Sequence, residues 1–432
     1  MAVEIVLFNA PVVIRSSHSR LTPPLGLAYL AAALMRAGYG VSALDFNVSG
    51  LNLRRVENVV EWGKPAVVGI SAHTETYTAA LEIARKVKLL DEKIRIVMGG
   101  PHPSIMPERV LQEARIDYVV MGEGEETLVE LLRHILEGSG DPAEIPGLAF
   151  RDENGAIRVN ERRALLDPDD LPCPARDIFP LELYEEKWNV LTARGSCPFK
   201  CPFCSASHIW GGRRKARSPR STIEEVKMLA EVYGANHIHF TDDIFTVNKK
   251  WVYEIIDLLN ELRYPLTWGC ATRVDCVDEH LIRAMASAGC TGIQYGIESG
   301  SQTILDSVKG IRKEQVLDAV KASVHAGIKV TSSFMIPFPD DTKETIRETK
   351  HFIKQVLDAG SEMVMSYTTP HPGTDFYERA DEFGLKILTG RWEEFDAKHN
   401  ILDTRYLSHQ EIDELLEEMV RELGLKRRIT TS

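Results

Sequence analysis

Short apolar runs alternate with amphipathic segments along most of this chain, in two separate stretches. In the first stretch the apolar runs predict strands and the amphipathic segments between them predict helices. The predicted strands are residues 3–8, 41–45, 66–71, 95–98 and 118–121, and the predicted helices are 25–37 and 78–90. Strands separated by helices indicate a doubly wound, Rossmann-like parallel sheet, which binds ligands at the carboxyl ends of its strands.

The second stretch repeats the alternation with longer spacing, from Trp188 to about residue 380. The predicted strands are 189–193, 237–241, 267–271, 292–297, 329–336 and 363–367, and the predicted helices are 223–232, 250–262, 278–287, 314–326 and 342–359. Repeated strand–helix units of this number predict an open, partial (β/α)6 barrel. Its site is expected at the carboxyl ends of the strands.

The remaining segments give the domain boundaries. We expect a first domain at 1–140, a turn-rich linker at 141–185, the partial barrel at 186–385 and a helical C-terminal extension at 386–432. Within the linker, residues 148–151 and 157–159 flank Asn154-Gly155, which favours a short hairpin. In the extension, Ser408 and Glu411 have the spacing of a capping box, which predicts the start of a helix.

Composition limits the classes of protein. A chain of 432 residues with 44% hydrophobic and 26% charged residues is typical of a soluble, multidomain protein. A net charge of −12 argues against nucleic acid as a partner. The basic run at 213–217 is a local exception, either a solvated loop or an anion site. We expect no membrane span and no signal peptide. Seven cysteines do not suggest a disulfide framework, so we expect a cytoplasmic location.

One loop concentrates three cysteines: Cys197-Pro-Phe-Lys-Cys201-Pro-Phe-Cys204. Structural zinc takes four protein ligands, and no fourth Cys or His follows at the usual spacing. Three thiolates suit a [4Fe–4S] cluster that keeps one iron open. The alternatives are three incidental cysteines, or a zinc site completed by His208.

Small and polar residues follow three strands of the first stretch. They are Ser71 and His73 after the third strand, Gly99, Gly100 and His102 after the fourth, and Gly122 and Glu123 after the fifth. Glycines at these ends let a large ligand approach the backbone closely. Ordinary strand-to-helix turns also favour such residues, and that alternative stays open.

The cysteine loop resembles the CxxxCxxC signature of the radical SAM superfamily, including Phe203 before the third cysteine. The resemblance implies that Cys197, Cys201 and Cys204 bind a [4Fe–4S] cluster, which cleaves S-adenosylmethionine (SAM) to a 5′-deoxyadenosyl radical. It also implies SAM contacts, at Thr241, Asp242, Arg273, Glu298 and Ser299, and an adenine-backing tract at 334–339. As alternatives, Asp242 or Glu298 is a helix cap and Arg273 belongs to a structural ion pair.

The first stretch resembles the cobalamin-binding domain that precedes many radical SAM enzymes. Pro23-Pro24-Leu25-Gly26-Leu27, Gly99-Gly100-Pro101-His102 and Gly122-Glu123-Gly124-Glu125-Glu126-Thr127 carry the likeness. It implies cobalamin contacts at the seven strand-end residues named above. The chain has no DxHxxG motif, so bound cobalamin is expected without a protein histidine on cobalt. Loss of cobalamin binding is the alternative.

The resemblance implies C-methylation of an unactivated carbon. One SAM methylates cob(I)alamin, a second yields the radical, and the carbon radical takes the methyl group. The alternatives are cyclisation, rearrangement or oxidation without methyl transfer, and a non-enzymatic metal- or cobalamin-binding protein. We expect a small-molecule, lipid or peptide substrate and an external electron donor such as flavodoxin or ferredoxin. Tyr295, Tyr367 and His371 are candidate catalytic residues. Cys173, Cys270, Cys276 and Cys290 are interpreted as incidental or buried thiols.

Overall fold

The computed structural model describes residues 3–12, 21–50, 52–195, 197–210, 213–262 and 264–424. Residues 425–432 of the predicted C-terminal extension therefore lie outside the described part. The chain divides into two compact units. The first extends to Lys187 and also includes Ser205–Arg213 and Arg391–Glu393; the second contains Trp188–Cys204, Arg214–Gly390 and the chain from Glu394 onward.

The first unit is built on a seven-stranded sheet. Its strands are β1 Ile5–Asn9, β2 Val41–Asp45, β3 Val67–Ser71, β4 Arg95–Gly99, β5 Tyr118–Val120, β6 Leu148–Arg151 and β7 Ile157–Val159, in the order β2-β1-β3-β4-β5-β6-β7. The first five strands are parallel, whereas β6 and β7 add an antiparallel hairpin at one edge. The predicted hairpin is therefore confirmed, and it extends this sheet.

Helices cover both faces of this sheet. They are α1 Leu25–Arg36, α2 Phe46–Ser49, α3 Leu53–Gly63, α4 Tyr77–Leu90, α5 Pro101–Ile105, α6 Pro107–Leu111 and α7 Glu125–Leu132, which continues as a π-helix at Arg133–Glu137, and α8 Ala206–Ile209. One core lies between the sheet and α3, α4 and α6, and a second lies between the sheet and α1 and α7. Two separate cores make the sheet doubly wound, as the alternating pattern predicted.

The second unit contains a six-stranded parallel sheet in the order β15-β14-β13-β12-β11-β8. The strands of this unit are β8 Asn189–Val190, β9 Ala193–Gly195, β10 Arg214–Ala216, β11 His237–Phe240, β12 Thr267–Thr272, β13 Cys290–Glu298, β14 Lys329–Ile336, β15 Glu362–Tyr367, β16 Lys386–Ile387 and β17 Leu402–Asp403. Strand order follows chain order across the six, which is the arrangement of the predicted partial barrel. β9 and β10 form an antiparallel pair that flanks the cysteine loop in sequence.

Helices follow the strands of the second unit along the chain, and most of them pack against its sheet. They are α9 Pro219–Tyr233, α10 Lys249–Asn260, α11 Glu279–Ser287, α12 Gln302–Val308, α13 Lys313–His325, α14 Lys343–Asp358, α15 Asp375–Glu378, α16 Ala380–Phe383 and α17 His409–Glu422. Single turns of 3-10 helix lie at Phe245–Val247, Val274–Cys276 and Trp392–Glu394. Ser408 and Glu411 form the predicted capping box at the start of α17. Within the described residues, none of the helices is both long and apolar enough to cross a membrane.

Candidate functional site

The cysteine loop follows β9, and an aromatic cluster supports it. Phe203 packs against Phe338 and Phe376, with ring centroids 5.7 and 6.4 Å away. The Phe376 N–H also donates a hydrogen bond to the Pro202 carbonyl across 3.3 Å. Apolar rings on three separate segments therefore hold the middle of the loop, which positions the cysteines on either side of Phe203.

The three cysteines are half-buried. A cluster bound to them would be partly shielded from water, and the thiols remain accessible for binding it. Burial raises the pKa of Cys197, and burial raises that of Cys201 against the opposing effects of Lys309 and Arg273. In the described part of the chain, no group of three or more His, Cys, Asp or Glu side chains is placed to hold a single metal ion. A cluster binds each thiolate through a different iron, so three thiols on one loop fit it as a donor set.

Arg273 lies beside this loop. The residue is 4% exposed, and its guanidinium donates from Nη1 towards Cys201 Sγ across 3.9 Å. Asp275 accepts two hydrogen bonds from the same group, at 2.9 and 2.8 Å, and Phe199 lies 3.8 Å from its central carbon. The ion pair that the sequence offered as an alternative role of Arg273 is therefore present, with Asp275 as the partner. The same guanidinium also contacts the cysteine loop, at Cys201 and Phe199.

Glu298 ends β13 in a left-handed backbone conformation, with φ of +78°. Its carboxylate accepts a hydrogen bond from Lys309 Nζ across 2.6 Å, and both side chains are largely buried. Lys309 also donates to the Gly296 carbonyl across 2.7 Å. A non-glycine residue at positive φ is strained. The strand end is thus fixed by an ion pair with Lys309, which was not among the predicted residues.

Asp242 follows β11 and is 6% exposed. It accepts hydrogen bonds from the Thr192 amide and hydroxyl, at 3.1 and 2.7 Å. Burial raises the pKa of Asp242 to about 6, although Thr192 and Arg214 oppose the shift. The neighbouring Thr241 has an exposed side chain, and its amide donates to the Val190 carbonyl across 3.0 Å.

Three other residues, which were predicted to bind SAM or to act in catalysis, contact helices of the second unit. Ser299 Oγ lies 3.2 Å from Thr349 Oγ1 of α14. Tyr295 is fully buried, with its hydroxyl 2.9 Å from Ser323 Oγ of α13. Tyr367 donates its hydroxyl proton to Asp413 of α17 across 2.7 Å. These contacts argue against direct contact of these three side chains with a substrate or cofactor.

His371 lies in the turn that follows β15. Its amide donates to the Thr369 carbonyl across 2.9 Å, and its carbonyl accepts from Thr374 Oγ1 across 2.6 Å. The backbone of His371 therefore forms hydrogen bonds within the turn. The catalytic role proposed for its imidazole ring stays a prediction.

The predicted cobalamin residues gather at the carboxyl ends of β3, β4 and β5 in the first unit. Ser71 and Gly99 end β3 and β4. Gly100 has a φ of +99°, and a Cβ there would lie 2.7 Å from the Ala72 carbonyl oxygen. Gly122 has a φ of +72°, and a Cβ there would meet no atom within 4 Å. At these four positions the edge presents backbone and small side chains, which fits a large flat ligand.

His73, His102 and Glu123 have different surroundings at this edge. His73 is exposed. His102 is 1% exposed, with its ring 4.4 Å from that of Tyr77 and 4.9 Å from that of Trp392. Glu123 is buried and accepts a hydrogen bond from the Leu166 amide across 3.1 Å. These placements favour His73 over His102 and Glu123 as a residue that can reach a ligand.

Thr192, Asp275 and Lys309 belong to the site but were not among the predicted residues. Asp275 lies two residues after Arg273, so the short spacing of opposite charges was a usable signal. Lys309 and Glu298 are separated by a whole helix, and Thr192 is 50 positions before Asp242. No local pattern connects residues that far apart.

Comparison with known proteins shows the family to which this chain belongs. Residues 11–132 match the B12 binding domain and residues 194–353 match the radical SAM superfamily. An uncharacterized methyltransferase of Pyrococcus horikoshii is 35% identical over 402 residues, covering 91% of this chain and 86% of that protein. The chain belongs to the B12-binding radical SAM family. It is a cobalamin-dependent radical SAM enzyme, and its cofactors are a [4Fe–4S] cluster, SAM and cobalamin.

Two further likenesses within the family are informative. The anaerobic magnesium-protoporphyrin IX monomethyl ester cyclase of Rubrivivax gelatinosus is 27% identical over 387 residues, covering 87% of this chain and 68% of the cyclase. The structure of the radical SAM methyltransferase TsrM from Kitasatospora setae, with cobalamin and a [4Fe–4S] cluster bound, superposes with a TM-score of 0.75. That match covers 98% of this chain and 88% of TsrM at 20% identity, so it shows a shared fold.

Proposed function

We propose that this enzyme transfers a methyl group from SAM to an unactivated carbon of a small-molecule, lipid or peptide substrate. The observation that carries the proposal is the 35% identity to a relative named as a methyltransferase, over 91% of this chain. Cobalamin carries methyl groups, and the cluster supplies the radical that activates carbon. An external donor such as flavodoxin or ferredoxin supplies the electrons.

In this proposal, Cys197, Cys201 and Cys204 bind the cluster, and the strand ends of the barrel bind SAM. Glu298, held by Lys309, and Asp242, held by Thr192, are rigid carboxylates at those strand ends. Fixed hydrogen-bond acceptors suit the ribose hydroxyls and the ammonium group of SAM. In the first unit, Ser71, His73, Gly99, Gly100 and Gly122 form the cobalamin edge.

A second function has support from the cyclase relative, which is 27% identical over 87% of this chain. A relative of that name closes a ring, so radical chemistry without methyl transfer is the competing proposal. The two reactions differ in the fate of the SAM methyl group. Methyl transfer leaves S-adenosylhomocysteine, whereas radical cleavage alone leaves methionine and 5′-deoxyadenosine.

The test uses anaerobic, cluster-reconstituted enzyme loaded with cobalamin, a strong reductant and SAM labelled with ¹³C in the methyl group. Methyl transfer predicts labelled methyl on the extracted corrinoid, together with S-adenosylhomocysteine. Unlabelled corrinoid with only methionine and 5′-deoxyadenosine would favour the cyclase-type reaction. Cys201→Ser is the matched variant, since it is expected to lose iron and 5′-deoxyadenosine but to keep cobalamin.

A further inference from the structure

The surroundings of Cys201 differ from those of an ordinary buried thiol. Two cationic side chains, Arg273 and Lys309, interact electrostatically with its thiol, and Arg273 also donates a hydrogen bond towards the sulfur. Each cation is paired with a carboxylate, Arg273 with Asp275 and Lys309 with Glu298. The charges around Cys201 are therefore balanced, and what distinguishes the site is the direction in which the Arg273 donors point.

Arg273 is held in place by three partners. Its Nε and Nη2 donate to the two oxygens of Asp275, at 2.9 and 2.8 Å, and Nη2 also donates to the Lys309 carbonyl across 3.0 Å. Phe199, which lies inside the cysteine loop, covers one face of the guanidinium. A guanidinium is planar and has five N–H donors in a fixed fork. With three of them committed, the fork directs Nη1 towards Cys201 Sγ.

Hydrogen bonds to the sulfurs are one of the factors that set the reduction potential of an iron–sulfur cluster, along with net charge and solvent exposure. Reduction adds negative charge, which spreads onto the thiolate ligands. An N–H donor fixed on a thiolate stabilises the reduced state more than the oxidised state. A buried, clamped donor has this effect without the cost of reorienting when the electron arrives.

We propose that Arg273 raises the reduction potential of the cluster by donating a hydrogen bond to Cys201. Arg273 then serves the cluster, whereas the sequence resemblance had assigned it to the carboxylate of SAM. This inference rests on the proposed assignment of Cys201 as a cluster ligand. Arg273 acts on the cluster through Cys201 and is held in position by Asp275, Phe199 and the Lys309 carbonyl.

The test is a potentiometric titration, followed by electron paramagnetic resonance, of the reconstituted holoenzyme without SAM. We expect a more negative midpoint potential in Arg273→Met than in the unchanged enzyme. The double variant Arg273→Met/Asp275→Asn removes one charge of each sign and isolates the hydrogen bond. It is also expected to titrate at a more negative potential. Arg283→Met, an exposed arginine of α11, is the control and leaves the midpoint unchanged.

Each other outcome has a defined meaning. A midpoint of the double variant equal to that of the unchanged enzyme, at about four irons per chain, overturns the proposal. A lower affinity for SAM with that same midpoint returns Arg273 to the SAM carboxylate. If Arg273→Met fails to hold a cluster, Arg273→Lys keeps the charge without the fork, and its unchanged midpoint also overturns the proposal. Full iron content in Cys201→Ser refutes the ligand assignment separately.

Discussion

At Gly296 the absence of a side chain leaves room for the ion pair between Glu298 and Lys309. A Cβ there would lie 2.6 Å from Glu298 Oε1 and 2.8 Å from Lys309 Nζ. We expect Gly296→Ala to separate the pair, because both atoms are ends of flexible side chains, at a stability cost of about 1–3 kcal/mol. The urea midpoint and the affinity for SAM should both fall.

Gly292 provides the control for this substitution. It lies on the same strand, and a Cβ there would meet no atom within 4 Å. Gly292→Ala should therefore leave SAM affinity unchanged. Equal urea midpoints and equal SAM affinities for the two variants would show that the Glu298–Lys309 pair is unimportant for both properties.

The buried carboxyl of Asp242 predicts a pH dependence. Its pKa is raised from 3.8 to about 6, mainly by burial. The folded state therefore binds the proton more tightly than the unfolded state, and this contribution to stability is lost as pH rises through 6. Between pH 5 and pH 7.5 the loss is about 1.4 kcal/mol.

Asp242→Asn should remove this part of the pH dependence, because an amide does not titrate in this range. Urea midpoints at the two pH values measure it, and Asp358→Asn, an exposed residue, is the control. Asp341 is also buried with a pKa raised to about 6, so a slope from that residue remains. An unchanged slope in Asp242→Asn would contradict the shifted pKa.

At the scale of elements, apolar and polar contacts hold α17 against the rest of the second unit. Ile412, Leu416 and Met419 enter its core, and Asp413 accepts hydrogen bonds from Tyr367 and Asn400. Tyr367→Phe removes only the hydroxyl. We expect a loss of about 1–2 kcal/mol in unfolding free energy and an unchanged rate of 5′-deoxyadenosine formation.

The exposed Tyr406 is the matched control for Tyr367. Tyr406→Phe should leave both the unfolding free energy and the rate unchanged. The opposite pattern in Tyr367→Phe, unchanged stability with a lost rate, would restore Tyr367 as a substrate-side residue. It would also mean that the hydrogen bond to Asp413 adds little to the docking of α17.

Most predicted elements lie within a few residues of the observed ones, because strand and helix periodicities are local properties. The helices α3, α7 and α12 were not predicted, and the predicted strand 189–193 is divided into β8 and β9. Strand β13 shows a limit of what the local pattern can predict. Ile293, Tyr295 and Ile297 alternate along it and face the helices, whereas Gln294 lies on the opposite, more exposed face and donates to Ser333 Oγ across 2.9 Å. Periodicity gave the alternation, but it did not say which face was the interior of the barrel.

At the scale of the whole molecule, the first unit has two hydrophobic cores, one on each face of its sheet, and the second unit has a core of its own. The domain boundaries placed from sequence, at 140, 185 and 385, stay predictions, and so do the cytoplasmic location and the absence of nucleic acid partners. Methyl transfer is proposed, since the relatives include enzymes named for methylation and for cyclisation.

The sequence by itself determined the two sheets and the three-cysteine loop, because these depend on periodicity and spacing within short segments, and the resemblance of its motifs indicated the family. Only the tertiary structure decided which polar residues meet. It directed Arg273 towards Cys201 and paired Glu298 with Lys309. It also placed the hydroxyls of Tyr295 and Tyr367 against α13 and α17. The physical reason is that these contacts join side chains on different elements, whose approach is fixed by the packing of the cores between them.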